Sequence, residues 1–210
     1  MSNYKSENQE DQWLDENVFK GKVGGFFCEL GAVEGLTSSN TFFFEKCREW
    51  RGILIEAHLE NFSKISQNRN CVEVNEVVGV DGDTVEFISY ERGSLSGIKG
   101  VSSPINTFLK EPARYDTLGY ETEKRTAVSL TSILKQCNAP FHIDLLSLDV
   151  EGSEGQVLKG LDFSLFSFTA LVIETKNFSS NILDFLGGNY REVVKLGGNT
   201  IFLHESFSQQ

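Results

Sequence analysis

The sequence lacks any long apolar run, and its cysteines, prolines and basic residues are few. No stretch approaches the ~20 apolar residues that span a bilayer, and the first residues are polar and acidic, which disfavours a secretory signal peptide. The four cysteines stand far apart, with no CxxC pair and no accompanying histidine cluster, which excludes the usual zinc frameworks. These absences predict a soluble, cytoplasmic protein whose cysteines are small buried thiols in a reducing compartment.

Acidic residues outnumber basic ones, with 30 against 19 and a net charge of −11. Binding to a phosphate backbone or an anionic membrane requires a concentrated basic surface, so the composition argues against nucleic-acid and membrane partners. One segment departs from this balance, because residues 91–125 carry a small basic surplus. The surplus is either chance or the mark of a segment that tolerates an anionic ligand. With 210 residues, 40% of them apolar, the chain is long enough for one ordinary globular domain.

Strand and helix patterns alternate along most of the chain. Buried strands are predicted at residues 26–30, 53–55, 72–78, 145–150 and 170–174, with an added strand at 84–88, and helical stripes begin near residues 43, 59, 130, 157 and 182. Residues 190–196 and 200–204 predict an antiparallel hairpin. This alternation is typical of an α/β fold with a mostly parallel sheet that is covered on both faces.

Two segments fall outside this alternation. The first ten residues, MSNYKSENQE, are polar and predict a flexible N-terminus, so that residues 11–210 form the single folded domain. Residues 91–127 hold two of the three prolines and little periodic hydrophobicity. A long unpatterned stretch inside a compact domain is usually functional or disordered. We interpret it as an insertion over the carboxyl ends of the strands and as a candidate lid.

Four of the predicted strands end in an acid: Glu29, Glu56, Asp149 and Glu174. In an open parallel sheet, ligands bind at the carboxyl ends of the strands, and an acid there is desolvated unless it has a partner. Gly31 follows the first strand directly, where a glycine permits a tight turn and close approach of the backbone to a ligand. Glu56 then stands at the ~20-residue spacing at which an acid binds ribose hydroxyls. The absence of a GxGxxG pattern argues against a nicotinamide or flavin enzyme.

Two long segments carry a family resemblance. The stretch GGFFCELGAVEGLTSSNTFFFEKCREWRGILIEAH resembles the opening motif of the FkbM-type methyltransferases, and IDLLSLDVEGSEGQVLKGLDF resembles their second signature. The resemblance covers residues 11–175. It implies a class I methyltransferase Rossmann-like fold, with a mostly parallel seven-stranded sheet and a C-terminal antiparallel hairpin, that uses S-adenosylmethionine. Two departures are visible, because Glu34-Gly35 replaces the usual Asp-Gly and Ala57 replaces the usual proline.

The resemblance also implies the site residues. Those expected to bind S-adenosylmethionine are Glu29, Gly31, Ala32, Glu34 and Gly35 around its methionine portion, Glu56 at its ribose and Asn75 at its adenine, with Glu76 as the alternative to Asn75. On the acceptor side, we expect Asp149 and Glu151 to act as catalytic acid–base or positioning groups, since a partly desolvated carboxylate accepts a proton. No metal site is predicted. A divalent metal on Asp149 and Glu151, or a mere helix cap at this segment, stays open as an alternative.

We therefore expect an S-adenosylmethionine-dependent O-methyltransferase whose partner is a small-molecule acceptor, the hydroxyl of a sugar, a glycan or another small natural product. The alternative is a catalytically degenerate methyltransferase-fold module that binds a partner or glycan. The intact set of Glu29, Gly31, Glu56 and Asp149 argues against that alternative. A dehydrogenase would need the missing glycine fingerprint.

Overall fold

The computed structural model describes residues 3–90, 96–101, 119–176, 178 and 181–207. In chain order its elements are α1 (Glu10–Leu14) with a following π-helical turn (Asp15–Phe19), β1 (Phe26–Leu30), α2 (Phe42–Arg48), β2 (Arg51–Ile55), α3 (Leu59–Asn68), β3 (Val72–Val74), β4 (Thr84–Tyr90), β5 (Gly97–Ile98), β6 (Tyr120–Thr126), α4 (Leu130–Gln136), β7 (His142–Leu148), α5 (Glu154–Lys159), β8 (Ser167–Glu174), a 3-10 turn (Ile182–Phe185), β9 (Tyr190–Leu196) and β10 (Asn199–His204). Among the helices described, none is both long enough and apolar enough to cross a membrane.

Seven strands form the central sheet, in the order β3-β2-β1-β7-β8-β10-β9. The first five are parallel to their neighbours, and β10 is antiparallel to both β8 and β9. The prediction of a mostly parallel seven-stranded sheet with a C-terminal antiparallel hairpin is confirmed. The strand order reverses between β1 and β7, and such a switch point opens a crevice at the carboxyl ends of the two strands.

The central strands are buried on both faces. Cys28 and Leu30 of β1 belong to the hydrophobic cluster on one face of the sheet, and Phe27 belongs to the cluster on the other. Leu146 and Leu145 of β7 divide between the two clusters in the same way. Because successive side chains of a strand point to opposite faces, a doubly covered strand has a nearly continuous apolar sequence. This packed core holds the strand ends, where the polar site residues follow, in fixed positions.

The structure adds strands that the sequence did not predict to the insertion at residues 91–127. Where they are described, these residues include β5 and β6, which pair antiparallel with β4 in a separate three-stranded sheet, here called the small sheet. The strand predicted at 84–88 belongs to this sheet. The sequence signal was weak because β6, YETEKRT, is almost wholly exposed and has no apolar alternation. The lid interpretation falls mainly on residues 91–95 and 102–118, which lie outside the described residues.

Residues 4–10, within the segment predicted to be flexible, make side-chain contacts with the folded domain. The Tyr4 hydroxyl donates to Asp15 at 2.9 Å. Glu10 is fully buried and accepts a hydrogen bond from the Asn199 side chain at 2.6 Å. These contacts hold residues 4–10 against the start of the helical region and against β10. Composition did not reveal them because Asn199 lies at the other end of the sequence.

Candidate functional site

A cavity of about 530 Å³ lies at the C-terminal ends of β1, β2 and β7, in the crevice at the switch point. A volume of this size suits a small-molecule ligand. The site residues predicted from the sequence that line it are Glu29, Gly31, Ala32, Glu34, Glu56, Asp149 and Glu151. Gly35 and Asn75 are not among its lining residues. The two sequence motifs therefore meet in one cavity, although they are far apart in the chain.

The turn after β1 brings the two motifs into backbone contact. Gly31 has a φ of +75°, which favours glycine, and a Cβ at this position would lie 1.7 Å from the main-chain oxygen of Asp149. The N–H groups of Gly31 and Ala32 donate to the Ile55 carbonyl at 3.0 and 3.3 Å. The turn is therefore wedged between the ends of β2 and β7, where a side chain would not fit.

Glu56 ties the same turn to the end of β2. Its Oε2 accepts a hydrogen bond from the Val33 N–H at 2.8 Å, and its Oε1 accepts one from the His58 N–H at 2.7 Å. Val33 has a φ of +50°, which is uncommon for a β-branched residue. Burial raises the pKa of Glu56 to about 7, although these backbone hydrogen bonds and the charge of Arg125 oppose the rise. Each carboxylate oxygen keeps a lone pair that can accept a ligand hydroxyl.

Glu29 is held mainly by protein groups. Its carboxylate accepts hydrogen bonds from the hydroxyls of Ser39 at 2.8 Å and Thr41 at 2.5 Å, and from the Asn40 N–H at 2.9 Å. The Arg69 guanidinium lies 3.6 Å away. These groups use most of the acceptor capacity of the carboxylate. Glu29 therefore fixes the loop over residues 37–41 in the cavity wall, a role that its position at a strand end did not reveal.

Glu34 and Gly35 shape the start of that loop. The Glu34 carboxylate accepts hydrogen bonds from the N–H and the hydroxyl of Thr37. Partial burial raises the pKa of Glu34, but the hydrogen bonds from Thr37 outweigh it and bring the pKa below its ordinary value. Gly35 has a φ of +79°, and a Cβ there would lie 2.7 Å from Cγ of Arg69. Packing against Arg69 therefore requires this glycine, and no contact with a ligand is needed to explain it.

The Asn75 side chain binds the backbone instead of facing the cavity. Its amide donates to the carbonyls of Glu56 at 2.7 Å and Ala57 at 3.1 Å, which joins the ends of β2 and β3. β3 ends at Val74 rather than at residue 78, where the sequence pattern placed its end. Glu76, the alternative to Asn75, does line the cavity. The sequence thus placed both candidates beside the cavity but did not reveal the direction of their side chains.

Asp149 and Glu151 form an acidic side of the cavity. Burial, followed by the charges of Glu174, Glu151 and Glu154, raises the pKa of Asp149 to about 8. Burial and the charge of Glu174 raise the pKa of Glu151 to about 7, against the opposing charge of Lys176. Carboxyl groups with a pKa this near neutrality exchange protons readily at physiological pH. They are therefore suited to acid–base chemistry.

Two further acids lie close to Asp149. Carboxylate oxygens of Asp149, Glu154 and Glu174 all lie within 4.8 Å of one another, which is close enough to share a metal ion. The protein already provides partners here, because Lys176 pairs with Glu174 and two backbone N–H groups donate to Glu154. The three acids Asp149, Glu154 and Glu174 are not the pair Asp149 and Glu151 that the sequence offered as an alternative metal site. That the protein has no metal site stays a prediction.

The small sheet supplies a cavity wall that the sequence did not reveal. Phe87 of β4 and Ile98 of β5 line the cavity together with Val77. These three side chains form a buried hydrophobic cluster of their own. The cavity therefore has an apolar wall in addition to its acidic one. Aromatic and aliphatic residues of a strand are usually core, so their sequence pattern carried no signal for a ligand.

Three buried polar atoms of cavity-lining residues have no hydrogen-bond partner within the described part of the chain: Asn40 Oδ1, Asn61 Nδ2 and Ser153 Oγ. Buried polar groups in folded proteins are nearly always paired. An amide acceptor, an amide donor and a hydroxyl are thus left in the wall of the cavity. Asn61 lies outside both motifs, and Ser153 lies within the second one without being a predicted site residue. The signal is the lack of a partner in three dimensions, which a motif does not show.

Comparison with protein families agrees with the motifs. The family model described as the methyltransferase FkbM domain matches residues 29–195. Among solved structures, the chain is similar to one from a fibrillarin/Nop5p complex, with 12% identity and a TM-score of 0.40, over 86% of this chain and 71% of that chain. It is also similar to a mutant of MtNAS, with 10% identity and a TM-score of 0.42, over 89% of this chain and 55% of that chain. A search of the curated proteins finds no match.

Proposed function

The chain belongs to the FkbM methyltransferase family, and from this premise we propose that it transfers a methyl group from S-adenosylmethionine to a hydroxyl of a sugar or another small natural product. One observation carries the proposal. The cavity brings Glu56 and the Gly31 turn together with Asp149 and Glu151. The first pair suits a cofactor that contains adenosine, and the second pair suits an acceptor that must lose a proton.

The residues present fit S-adenosylmethionine. Glu56 lies where folds of this kind bind ribose hydroxyls, and the apolar wall around Phe87 suits a flat base. The unpartnered atoms of Asn40 and Ser153 are available to the polar portion of a ligand. Among the described residues, the ionisable side chains of the cavity wall are seven acids and one base: Glu7, Glu29, Glu34, Glu56, Glu76, Asp149, Glu151 and Lys64. This excess of acids favours a ligand that carries a positive charge, such as a sulfonium.

The acidic side of the cavity supports the transfer step. When bound, S-adenosylmethionine supplies a methyl group on a positively charged sulfur, which is the leaving group of an in-line displacement. With S-adenosylmethionine bound, Asp149 would take the proton of the acceptor hydroxyl as the methyl group passes to the hydroxyl oxygen, and S-adenosylhomocysteine would leave. Its raised pKa makes Asp149 a stronger base than an exposed aspartate. Glu151, on the same side of the cavity, orients the acceptor hydroxyl.

Composition supports a small-molecule acceptor over the other classes of partner. A net charge of −11 disfavours nucleic acid and anionic membranes. The four cysteines are free thiols, which favours a reducing compartment such as the cytoplasm. The acceptor is therefore a compound of the cell interior in this proposal.

Calorimetric titration with S-adenosylmethionine and S-adenosylhomocysteine tests the cofactor. We expect one site per chain with micromolar or tighter affinity. Transfer of a labelled methyl group to a panel of sugars and hydroxylated natural products then tests the acceptor class. Folded protein that binds neither compound would contradict the proposal and favour the degenerate module, which binds a partner or glycan without catalysis.

A further inference from the structure

Arg125 lies on β6 of the small sheet, yet its guanidinium contacts the central sheet. Nη1 donates to the Ala57 carbonyl at 2.6 Å, and Nη2 donates to the Asn75 carbonyl at 3.1 Å. Ala57 and Asn75 follow the ends of β2 and β3. The forked, planar guanidinium suits two acceptors at once, which an amine on a flexible stem does not. Arg125 therefore joins the small sheet to two strand ends at the cavity.

The same side chain packs on the cavity wall. The guanidinium carbon of Arg125 lies 5.7 Å from the ring centroid of Phe87, within the range of a cation–π contact. Phe87, Val77 and Ile98 form a cluster separate from the two clusters of the central sheet. A small separate cluster contributes little burial, so polar ties have a larger share in holding the small sheet in place.

Other ties attach the small sheet farther along the chain. The Val128 N–H donates to the Val77 carbonyl at 3.0 Å, and the Gly79 N–H donates to the Val128 carbonyl at 3.1 Å. These bonds follow β6. At the edge beside Ala57, the two hydrogen bonds of Arg125 are accompanied by one between the His58 side chain and the Tyr90 backbone, and Ala57 packs against the Phe87 cluster. That edge is also the one next to Glu56, whose pKa the charge of Arg125 lowers.

The local basic surplus in residues 91–125 has a structural explanation at two of its positions. Lys99 pairs with Glu86 across the small sheet at 2.9 Å, and Arg125 donates to backbone carbonyls. Both charges hold the small sheet together or in place. Neither of them needs an anionic ligand to account for it.

We propose that Arg125 is a positioning residue that latches the small sheet onto the cofactor end of the cavity, so that docking of the sheet and binding of the adenosine portion are coupled. The inference rests on the proposed function, because the coupled ligand is the proposed cofactor. Arg125 itself touches the wall and the strand ends, and it acts on the ligand through Phe87 and Glu56.

Ligand binding provides the first test. Arg125→Met keeps the aliphatic stem over Phe87 but loses both donors, and Lys124→Met on the same strand is the matched control because Lys124 is exposed. The probes are S-adenosylhomocysteine and 5′-methylthioadenosine, which lacks the amino-acid portion. We expect Arg125→Met to weaken both by the same factor, about tenfold or more, since two charge-assisted hydrogen bonds are lost. Lys124→Met should bind as the wild type does.

Arg125→Lys keeps the charge and one donor direction, so partial recovery of affinity is expected, and this variant also covers the case in which Arg125→Met does not fold. An affinity of Arg125→Met within twofold of the wild type overturns the proposal. A loss confined to S-adenosylhomocysteine overturns it as well, because the defect would then lie at the amino-acid portion.

Hydrogen–deuterium exchange without ligand provides a second, independent test. We expect the amides of β4 and β6 to exchange faster in Arg125→Met than in the wild type or Lys124→Met, with β1 and β7 unchanged. Equal exchange rates in Arg125→Met and the wild type, or faster exchange in all strands of the variant, would contradict the positioning role of Arg125. If the wild type binds no S-adenosylhomocysteine but Arg125→Met still exchanges faster in β4 and β6, the proposed cofactor is refuted and the docking role of Arg125 is retained.

Discussion

Gly31 and Asp149 meet backbone to backbone at the base of the cavity, so closely that a Cβ on Gly31 would lie 1.7 Å from the Asp149 oxygen. Gly31 belongs to the first sequence motif and Asp149 to the second. Their contact makes the turn after β1 and the acidic loop after β7 one packed unit. A change that displaces either segment therefore moves both the proposed cofactor side and the proposed acceptor side of the cavity.

Gly31→Ala is expected to destabilise the protein and weaken S-adenosylhomocysteine binding. Overpacking against Asp149 costs about 1–3 kcal/mol, and the positive φ adds about 1 kcal/mol. Gly24→Ala is the matched control, because Gly24 has the same φ of +75° but no described atom within 4 Å of an added Cβ. Urea unfolding and calorimetric titration measure both effects. Equal losses in the two variants would show that backbone conformation alone requires Gly31.

Glu56→Gln is expected to weaken S-adenosylhomocysteine binding about tenfold or more and to lower the free energy of unfolding by about 1–2 kcal/mol. Glutamine has one acceptor oxygen, so the N–H of Val33 or of His58 loses its partner. Glu192→Gln is the control, because this exposed acid pairs with Lys195 on the surface, neither residue lines the cavity, and loss of the pair should have little effect. Unchanged affinity in Glu56→Gln would refute the ribose assignment.

Asp149→Asn is expected to reduce turnover about 100-fold or more while S-adenosylhomocysteine binding is retained, since a proton acceptor is lost without a change of shape. In the wild type, kcat/KM should rise with pH, pass its midpoint near pH 8 and level off above it, because Asp149 accepts a proton only when ionised and burial raises its pKa to about 8. Because Asp149 and Glu151 interact, the apparent pKa of this pH profile belongs to the pair and not to Asp149 alone. Full activity in the variant, or a profile that is flat with pH, would remove Asp149 from the mechanism.

Ionisation of the Asp149 carboxyl group is expected to lower the free energy of unfolding as the pH rises. Asp149 ionises near 3.8 when unfolded and near 8 when folded, so between these values the native state binds the additional proton. The free energy of unfolding therefore falls as pH rises through this window. Asp149→Asn should be more stable than the wild type by about 1 kcal/mol or more at pH 8, with a smaller difference near pH 4. Thermal unfolding of both proteins at several pH values measures this difference in stability. A difference that stays constant with pH would contradict the prediction.

The sequence by itself determined the central sheet and the strand ends at which the candidate site lies. The strand predicted at residues 26–30 coincides with β1, and the hairpin of β9 and β10 was located from its alternation and its glycine turn. Such patterns are local, since a strand buried on both faces must be apolar along its own length. The acids at strand ends were located for the same reason, and Glu56 and Asp149 do line one cavity.

Only the tertiary structure decided what each polar side chain does there. Glu29 binds the loop over residues 37–41, Asn75 binds two backbone carbonyls, and Gly35 packs on Arg69. The small sheet and the contact of Arg125 with Ala57 were equally hidden. Hydrogen bonds and close packing depend on partners that are distant in the sequence. A local pattern therefore predicts where a strand ends, but only the folded chain determines which way the side chains beyond it turn.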